Sequence, residues 1–151
     1  MSNKICCHHV DRDGYDGHKL HSFAQSIWSY DRSITGEGVR KTLQKIQDVV
    51  PNLKIFDIKS GEMAFDWIIP QEWVVREAWI KTPSGEKICD FKVCNLHLVG
   101  YSVGVHCLLS LDALQNHLFS VPEQSAAVPY VTSYYEKRWG FCISDQQRQN
   151  L

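Results

Sequence analysis

The sequence predicts an α+β protein, and three observations carry that prediction. Val39, Leu43, Ile46 and Val50 recur at helical spacing, with Arg40, Lys41, Lys45 and Asp48 between them. After Pro51 the apolar residues regroup into short runs of strand-like composition. Gly and Pro punctuate those runs at Ser60-Gly61, Pro70 and Pro83-Ser84-Gly85. A helical start followed by a mainly antiparallel sheet region carrying one helix is the architecture these patterns describe.

The elements follow in order. Residues 1–20 lack periodicity and are rich in His, Asp, Gly and Lys, which reads as a flexible leader. Phe23 and Ile27 lie one turn apart in a short helix over His21–Tyr30. The loop Arg32–Gly38 breaks it, and Ser33 or Thr35 is positioned to cap the helix that follows. Glu37 suits the positive end of that helix, and Pro51 ends it. Strands are expected over Leu53–Ile58, Phe65–Ile69 and Trp73–Thr82, where Val74, Ala78 and Ile80 share a face. Pro83-Ser84-Gly85 turns the chain into a partner strand at Lys87–Phe91, because Pro fixes one φ and Gly accepts a positive one. Leu96–Val105 is a further extended run. Ser110 caps a helix from Leu111 to Phe119 with Leu111, Leu114 and Leu118 as its buried stripe. Tyr130–Tyr135 and Trp139–Ser144 are the last strands, and Asp145–Leu151 is a polar tail without a helix stop.

Composition bounds the function without naming it. The chain has 151 residues, 44% of them hydrophobic and 22% charged, which is a globular rather than a disordered composition. Sixteen basic residues against seventeen acidic ones leave a net charge of −1, so nothing draws the chain to nucleic acid or to an anionic membrane. The polar N-terminus lacks the apolar core of a secretory signal, and no run approaches the ~20 apolar residues of a membrane span. The six cysteines are spaced without a disulfide pattern, so free thiols and a cytoplasmic location are expected.

Five constellations bear on chemistry. Cys6, Cys7, His8 and His9, with His18 and His21, carry zinc-ligand side chains, but the first ligands are adjacent rather than two to four residues apart. Cys89, Cys94, His97, His106 and Cys107 contain no CxxC and no HExxH. Ser102 lies in Gly100-Tyr101-Ser102-Val103-Gly104, which matches G-x-S-x-G in letters. Its flanks Val99 and Val105 are strand-like, whereas a nucleophile elbow runs from strand into helix. Gly36-Glu37-Gly38 precedes a helix without the preceding strand or third glycine of a nucleotide site. Tyr130, Tyr134, Tyr135, Trp139 and Phe141 are enough aromatic surface to line a peptide or sugar cleft, and equally suit strand packing.

Ordered strings then resemble a known family. They are Arg32-Ser33-Ile34-Thr35-Gly36-Glu37-Gly38-Val39-Arg40, Phe65-Asp66-Trp67, Pro70 with Glu72-Trp73, Asn95-Leu96-His97, Tyr101-Ser102-Val103 with Val105-His106, Pro122-Glu123-Gln124, Pro129–Tyr135 and Trp139-Gly140-Phe141-Cys142. Over about residues 22–145 the chain resembles a bacterial and archaeal zinc aminopeptidase-like family of domain-of-unknown-function proteins, often found among polysaccharide-biosynthesis genes. Gly104 stands where the family usually has Pro, and Asp145 where it has His.

The resemblance implies an N-terminal part only. Residues 21–50 would be the helical start of a zinc-peptidase-like domain, 51–145 a β-rich inserted domain, and 146–151 a truncated tail. The family's zinc ligands lie in a later segment beginning near a Cys-His-Pro motif, which this chain lacks. Zinc belongs to the family, yet none is expected bound here, and no catalytic or metal-ligating residue is expected in this chain. A peptide substrate would meet His97, His106, Tyr101, Tyr134 and Trp139. The alternative is a non-enzymatic β-rich module that binds a peptide or saccharide. A third reading is an adaptor that completes a peptidase in trans, or self-associates, through Val39, Leu43, Ile46 and Val50. Each of these side chains forgoes about 1.5–3 kcal/mol if left uncovered.

Overall fold

A computed structural model describes residues 17–33, 35–134 and 136–151. The leader and the Cys6–His9 cluster therefore lie outside the described residues, apart from 17–20. Helix α1 spans Gly17–Ile27 and begins at Gly17 rather than His21. Helix α2 spans Glu37–Val49, close to its expected bounds. Its cap position is Gly36, which has no side chain to offer. Ser33 Oγ donates instead to the Thr35 carbonyl. Val39, Leu43 and Ile46 are half-buried and Val50 is exposed, so the stripe is partly covered within the chain itself.

The sheet content is small. Strands β1 (Met63–Ala64) and β2 (Trp67–Ile68) form an antiparallel pair, as do β3 (Ile80–Lys81) and β4 (Lys87–Ile88). Pro83-Ser84-Gly85 makes the second turn as the sequence predicts: Gly85 stands at φ 93° and its N–H donates to the Thr82 carbonyl at 2.9 Å. The first hairpin turns at Phe65-Asp66, with Phe65 at φ 58°, inside the run expected to be a strand. Leu53–Ile58, expected as a strand, has no strand partner among the described residues.

The third pair is parallel, beside the two antiparallel ones, and the helix expected over Leu111–Phe119 is shorter. Helix α3 spans only Leu111–Gln115, and β5 (Leu118–Phe119) pairs in parallel with β6 (Phe141–Cys142). Leu118 and Phe119 were expected at the end of α3. Ladder bonds such as Phe141 N–H to the His117 carbonyl at 2.7 Å outweigh their helical preference. Leu96–Val105 is likewise a 3-10 turn at Asn95–His97 followed by irregular chain. The polar tail is corrected too: helix α4 spans Asp145–Gln149. Ser144 caps it, its Oγ accepting the Gln147 N–H at 3.2 Å.

The core lies within residues 78–143. Cys89, Leu118, Phe141 and Ile143 form it, with Ala78, Ile80, Ile88, Leu98, Leu114 and Trp139 packed around them. Helix α4 is tied to this unit by Arg148, whose Nε donates to Gln115 Oε1 at 2.8 Å and whose Nη2 donates to the Gln115 carbonyl at 3.2 Å. Ser120 Oγ donates to Asp145 Oδ1 at 2.8 Å. Helix α2 is held to the 70–75 segment by Arg40, which grips Glu72 with both terminal guanidinium nitrogens.

Candidate functional site

The site is built on a tight turn. The Ser102 N–H donates to the Val99 carbonyl at 3.1 Å, and this places Tyr101 at φ 62°. A bulky side chain there carries backbone strain, which tends to gather at functional positions. Three neighbours hold the turn. Trp73 Nε1 donates to the Ser102 carbonyl at 3.0 Å. Ser102 Oγ donates to the Val99 carbonyl at 2.7 Å and accepts the Gly140 N–H at 3.3 Å. These two bonds give the Ser102 hydroxyl a structural task, in keeping with its strand-like flanks.

Alongside this turn runs the 129–134 stretch. Gly100 N–H donates to the Val131 carbonyl at 2.9 Å, and Ser133 N–H returns to the Gly100 carbonyl at 2.8 Å. Gly100 bridges Thr132 in parallel, and a Cβ on it would meet Thr132 Oγ1 at 3.2 Å. The close approach of the two backbones brings the aromatic rings together. Tyr101 stacks on Trp73 with ring centres 5.5 Å apart and meets the Tyr134 ring edge-on at 4.7 Å.

A cleft of about 640 Å³ opens against these rings, lined by Arg32, Tyr101, Tyr130, Tyr134, Glu136 and Arg138. Tyr130 lines this cleft and is 74% exposed. Arg138 Nη2 donates to the Thr132 carbonyl at 3.0 Å, and its Nε lies 3.4 Å from Glu136 Oε2. Arg32 donates to the Ile27 carbonyl, which carries the end of α1 to the rim. Aromatic faces with two guanidinium groups and a carboxylate at the edge can hold an apolar or ring-bearing ligand with polar ends. On the far side of Ser33 a second hollow of about 300 Å³ takes in Asp31, Lys41 and Trp73. Burial raises the Asp31 carboxyl above its usual range.

Of the five predicted residues, Tyr101 and Tyr134 meet in the cleft. The other three lie elsewhere. His97 is half-buried, and its Nδ1 donates to the Cys142 carbonyl at 2.8 Å, which orients the ring against the core. Trp139 stacks on His117 at 3.7 Å and meets Phe141 edge-on at 6.5 Å. His106 lies on an exposed stretch away from the rings that form the cleft. Sequence reasoning missed Arg32 and Arg138 as cleft residues. Arg32 was inside a recognised motif, whereas no pattern in the sequence marks Arg138.

The donor sets for a metal are poor. Among the described residues, no group of three or more His, Cys, Asp or Glu side chains can hold an ion. Cys89, Cys94, Cys107 and Cys142 are free thiols. Burial pushes Cys89 up to about 12, with Cys142 nearby adding to it, and burial pushes Cys142 up to about 11. A catalytic zinc centre takes about three converging protein ligands, and no such set lies among the described residues. No helix among them is long and apolar enough to cross a membrane.

Comparison with known proteins places this geometry. A family profile described as a domain of unknown function (DUF2172) matches residues 72–151, the stretch that holds the core and most of the cleft. A Clostridium acetobutylicum protein provisionally named as a polysaccharide biosynthesis protein with aminopeptidase-like domain is 38% identical over 143 residues, 95% of this chain and 33% of the relative. A crystal structure of a C. acetobutylicum protein, provisionally named a peptidase, superposes with a TM-score of 0.84 at 40% identity. That match covers 89% of this chain and 32% of the solved one. The chain thus spans about a third of the length of each relative.

Proposed function

The chain belongs to the family described as a domain of unknown function (DUF2172), and from that premise we propose that it serves as the substrate-guiding part of an aminopeptidase-like protein whose zinc centre lies in other polypeptide. The observation that carries this reading is the length relation. Nearly the whole chain is similar to about a third of two proteins, one provisionally named a peptidase and one named for an aminopeptidase-like domain. Zinc would supply polarisation of the peptide carbonyl and an activated water, which takes several converging protein ligands and a base. The described residues offer no such set, so no bond-breaking step is assigned to them.

The work left to this chain is binding. Tyr101, Tyr130 and Tyr134 offer ring faces to a substrate side chain, Arg32 and Arg138 meet a carboxylate or carbonyl, and Glu136 meets an amine. The exposed Tyr130 ring also favours a second reading, a module that stacks on sugar rings without catalysis. Offering dipeptides and oligosaccharides separately to the chain in fluorescence titrations separates the two. A peptide response alone supports the first reading, and a saccharide response alone supports the second.

The direct test pairs this chain with the C. acetobutylicum relative from which the matched third has been deleted. With zinc present, the pair should release the fluorophore from aminoacyl amides while this chain alone does not. Tyr130→Ala in the pair should raise KM severalfold with little change in kcat, since it removes ring contact made equally before and during the reaction. Hydrolysis by this chain alone would overturn the reading, as would a Tyr130→Ala pair with unchanged KM.

A further inference from the structure

Two segments of the chain are held at both ends and, among the described residues, make no hydrogen bond in between. The first is 54–58, Lys54-Ile55-Phe56-Asp57-Ile58. Leu53 N–H donates to the Val50 carbonyl at 2.9 Å on one side, and Glu62 N–H donates to the Lys59 carbonyl at 3.2 Å on the other. The second is 104–109, Gly104-Val105-His106-Cys107-Leu108-Leu109. Val103 N–H donates to the Arg138 carbonyl at 3.0 Å before it, and Ser110 Oγ caps α3 after it. Both run without helix, turn or bend. Among the described residues no hydrogen bond reaches the backbone or side chains of either segment.

Their composition is wrong for solvent-washed loops. Such loops draw on Gly, Pro, Asn, Asp and Ser. These segments hold no Pro, only one Lys and one Asp between them, and Ile, Phe, Val and Leu at most other places. Phe56 is 82% exposed and Leu108 is 100% exposed. A run of strand-forming apolar residues with unpaired N–H and C=O groups is a template for another strand, and native proteins cover such edges.

The occupant follows from length and likeness. The solved relative contains this same fold, and two-thirds of that chain lies outside the match. A second copy of this chain is the weaker candidate, because the relatives contain the same fold joined to polypeptide of their own. We infer that segments 54–58 and 104–109 are open strand edges that pair with strands of the remaining two-thirds of the peptidase-like protein. This pairing is strand addition: main-chain bonds supply affinity, and pockets for Phe56, Ile58 and Leu108 supply specificity. The inference rests on the peptidase-like reading and adds to it the surface through which the two parts meet.

Hydrogen exchange followed by mass spectrometry tests it, on this chain alone and mixed with the same deleted C. acetobutylicum relative. Alone, the amides of 54–58 and 104–109 should exchange at nearly the rate of unstructured chain. In the mixture both should slow by about a hundredfold or more, as amides in ladder bonds do. Leu108→Asp and Phe56→Asp should each weaken the complex at least about tenfold. Both residues are exposed, so the exchange of Val99 and Cys142 amides in the free variants should stay at the parent rate and show that the fold is intact. Complex formation without slowing in these segments would overturn the inference, as would no complex at all or slowing with this chain alone that grows with its concentration. Aminoacyl-amide hydrolysis in the same mixture reports on the parent reading separately. Protection without hydrolysis leaves the edges and removes the peptidase role, and hydrolysis without protection does the reverse.

Discussion

Phe65 and Tyr101 share an uncommon backbone, at φ 58° and 62°, but for different ends. The Tyr101 ring is held by Trp73 and Tyr134, so its strain is compensated by contacts at the cleft. Phe65 is fully exposed and gains no such contact. Phe65→Gly should therefore stabilise the chain by about 0.5–1 kcal/mol, the relief of left-handed strain less the entropy cost of glycine; thermal unfolding measures it. Gly140 is the opposite case. A Cβ there would meet Phe119 Cε2 at 2.7 Å and the His117 carbonyl oxygen at 2.9 Å, so Gly140→Ala should lower stability by roughly 1–3 kcal/mol. The thiols give a third expectation. Cys107 is exposed, whereas Cys89 and Cys142 are buried and raised to about 12 and about 11. Iodoacetamide at neutral pH should label Cys107 and spare that pair until the chain unfolds. Because the folded pair keeps its protons longer than the unfolded thiols, stability should hold below pH 9.0 and fall as pH rises from there toward 11–12. A denaturant series between pH 8 and 11 reads the slope.

At the scale of elements, local signals succeeded where local physics decides. The Pro83-Ser84-Gly85 turn and helix α2 were legible because φ preference and a 3.6-residue stripe act within a few residues. The end of α3 was not. Leu118 and Phe119 leave the helix for parallel partners 23 residues further on, Phe141 and Cys142, and nothing near them announces it. Helix α4 did carry a signal, Ser144 followed three residues later by Gln147, which is a capping box. Its polar sequence hid the helix from a search for apolar stripes. Ser144→Ala should cost about 1 kcal/mol and fray α4 first, which exchange at Gln147 and Arg148 would show. The cleft was half legible: Tyr101 and Tyr134 were expected at a site, whereas Arg138 is held at the rim by contacts to the Thr132 carbonyl and Glu136. The segments 53–58 and 96–105 read as strands, and their composition remains that of strands. The first has no strand partner among the described residues, whereas the second meets Phe141 through Leu98 and Thr132 through Gly100 as single bridges only.

For the whole molecule the same point sets the account. Although 44% of the sequence is hydrophobic, only seven apolar residues are buried among those described: Ile69, Cys89, Val99, Leu118, Phe141, Cys142 and Ile143. Monomers of this size bury most of the apolar surface of their unfolded chain. The shortfall is concentrated in 55–68 and 103–111, whereas the cluster of Cys89, Leu118, Phe141 and Ile143 is packed. Those two exposed stretches take in most of 54–58 and all of 104–109, the segments inferred above to be open strand edges. The central claim, that this chain guides substrate and leaves the metal chemistry to the rest of the protein, is tested most directly by elemental analysis of the purified chain. Zinc is offered in excess and the unbound metal removed. The account predicts no stoichiometric zinc and no hydrolysis of aminoacyl amides. One tightly held zinc per chain together with such hydrolysis would contradict it.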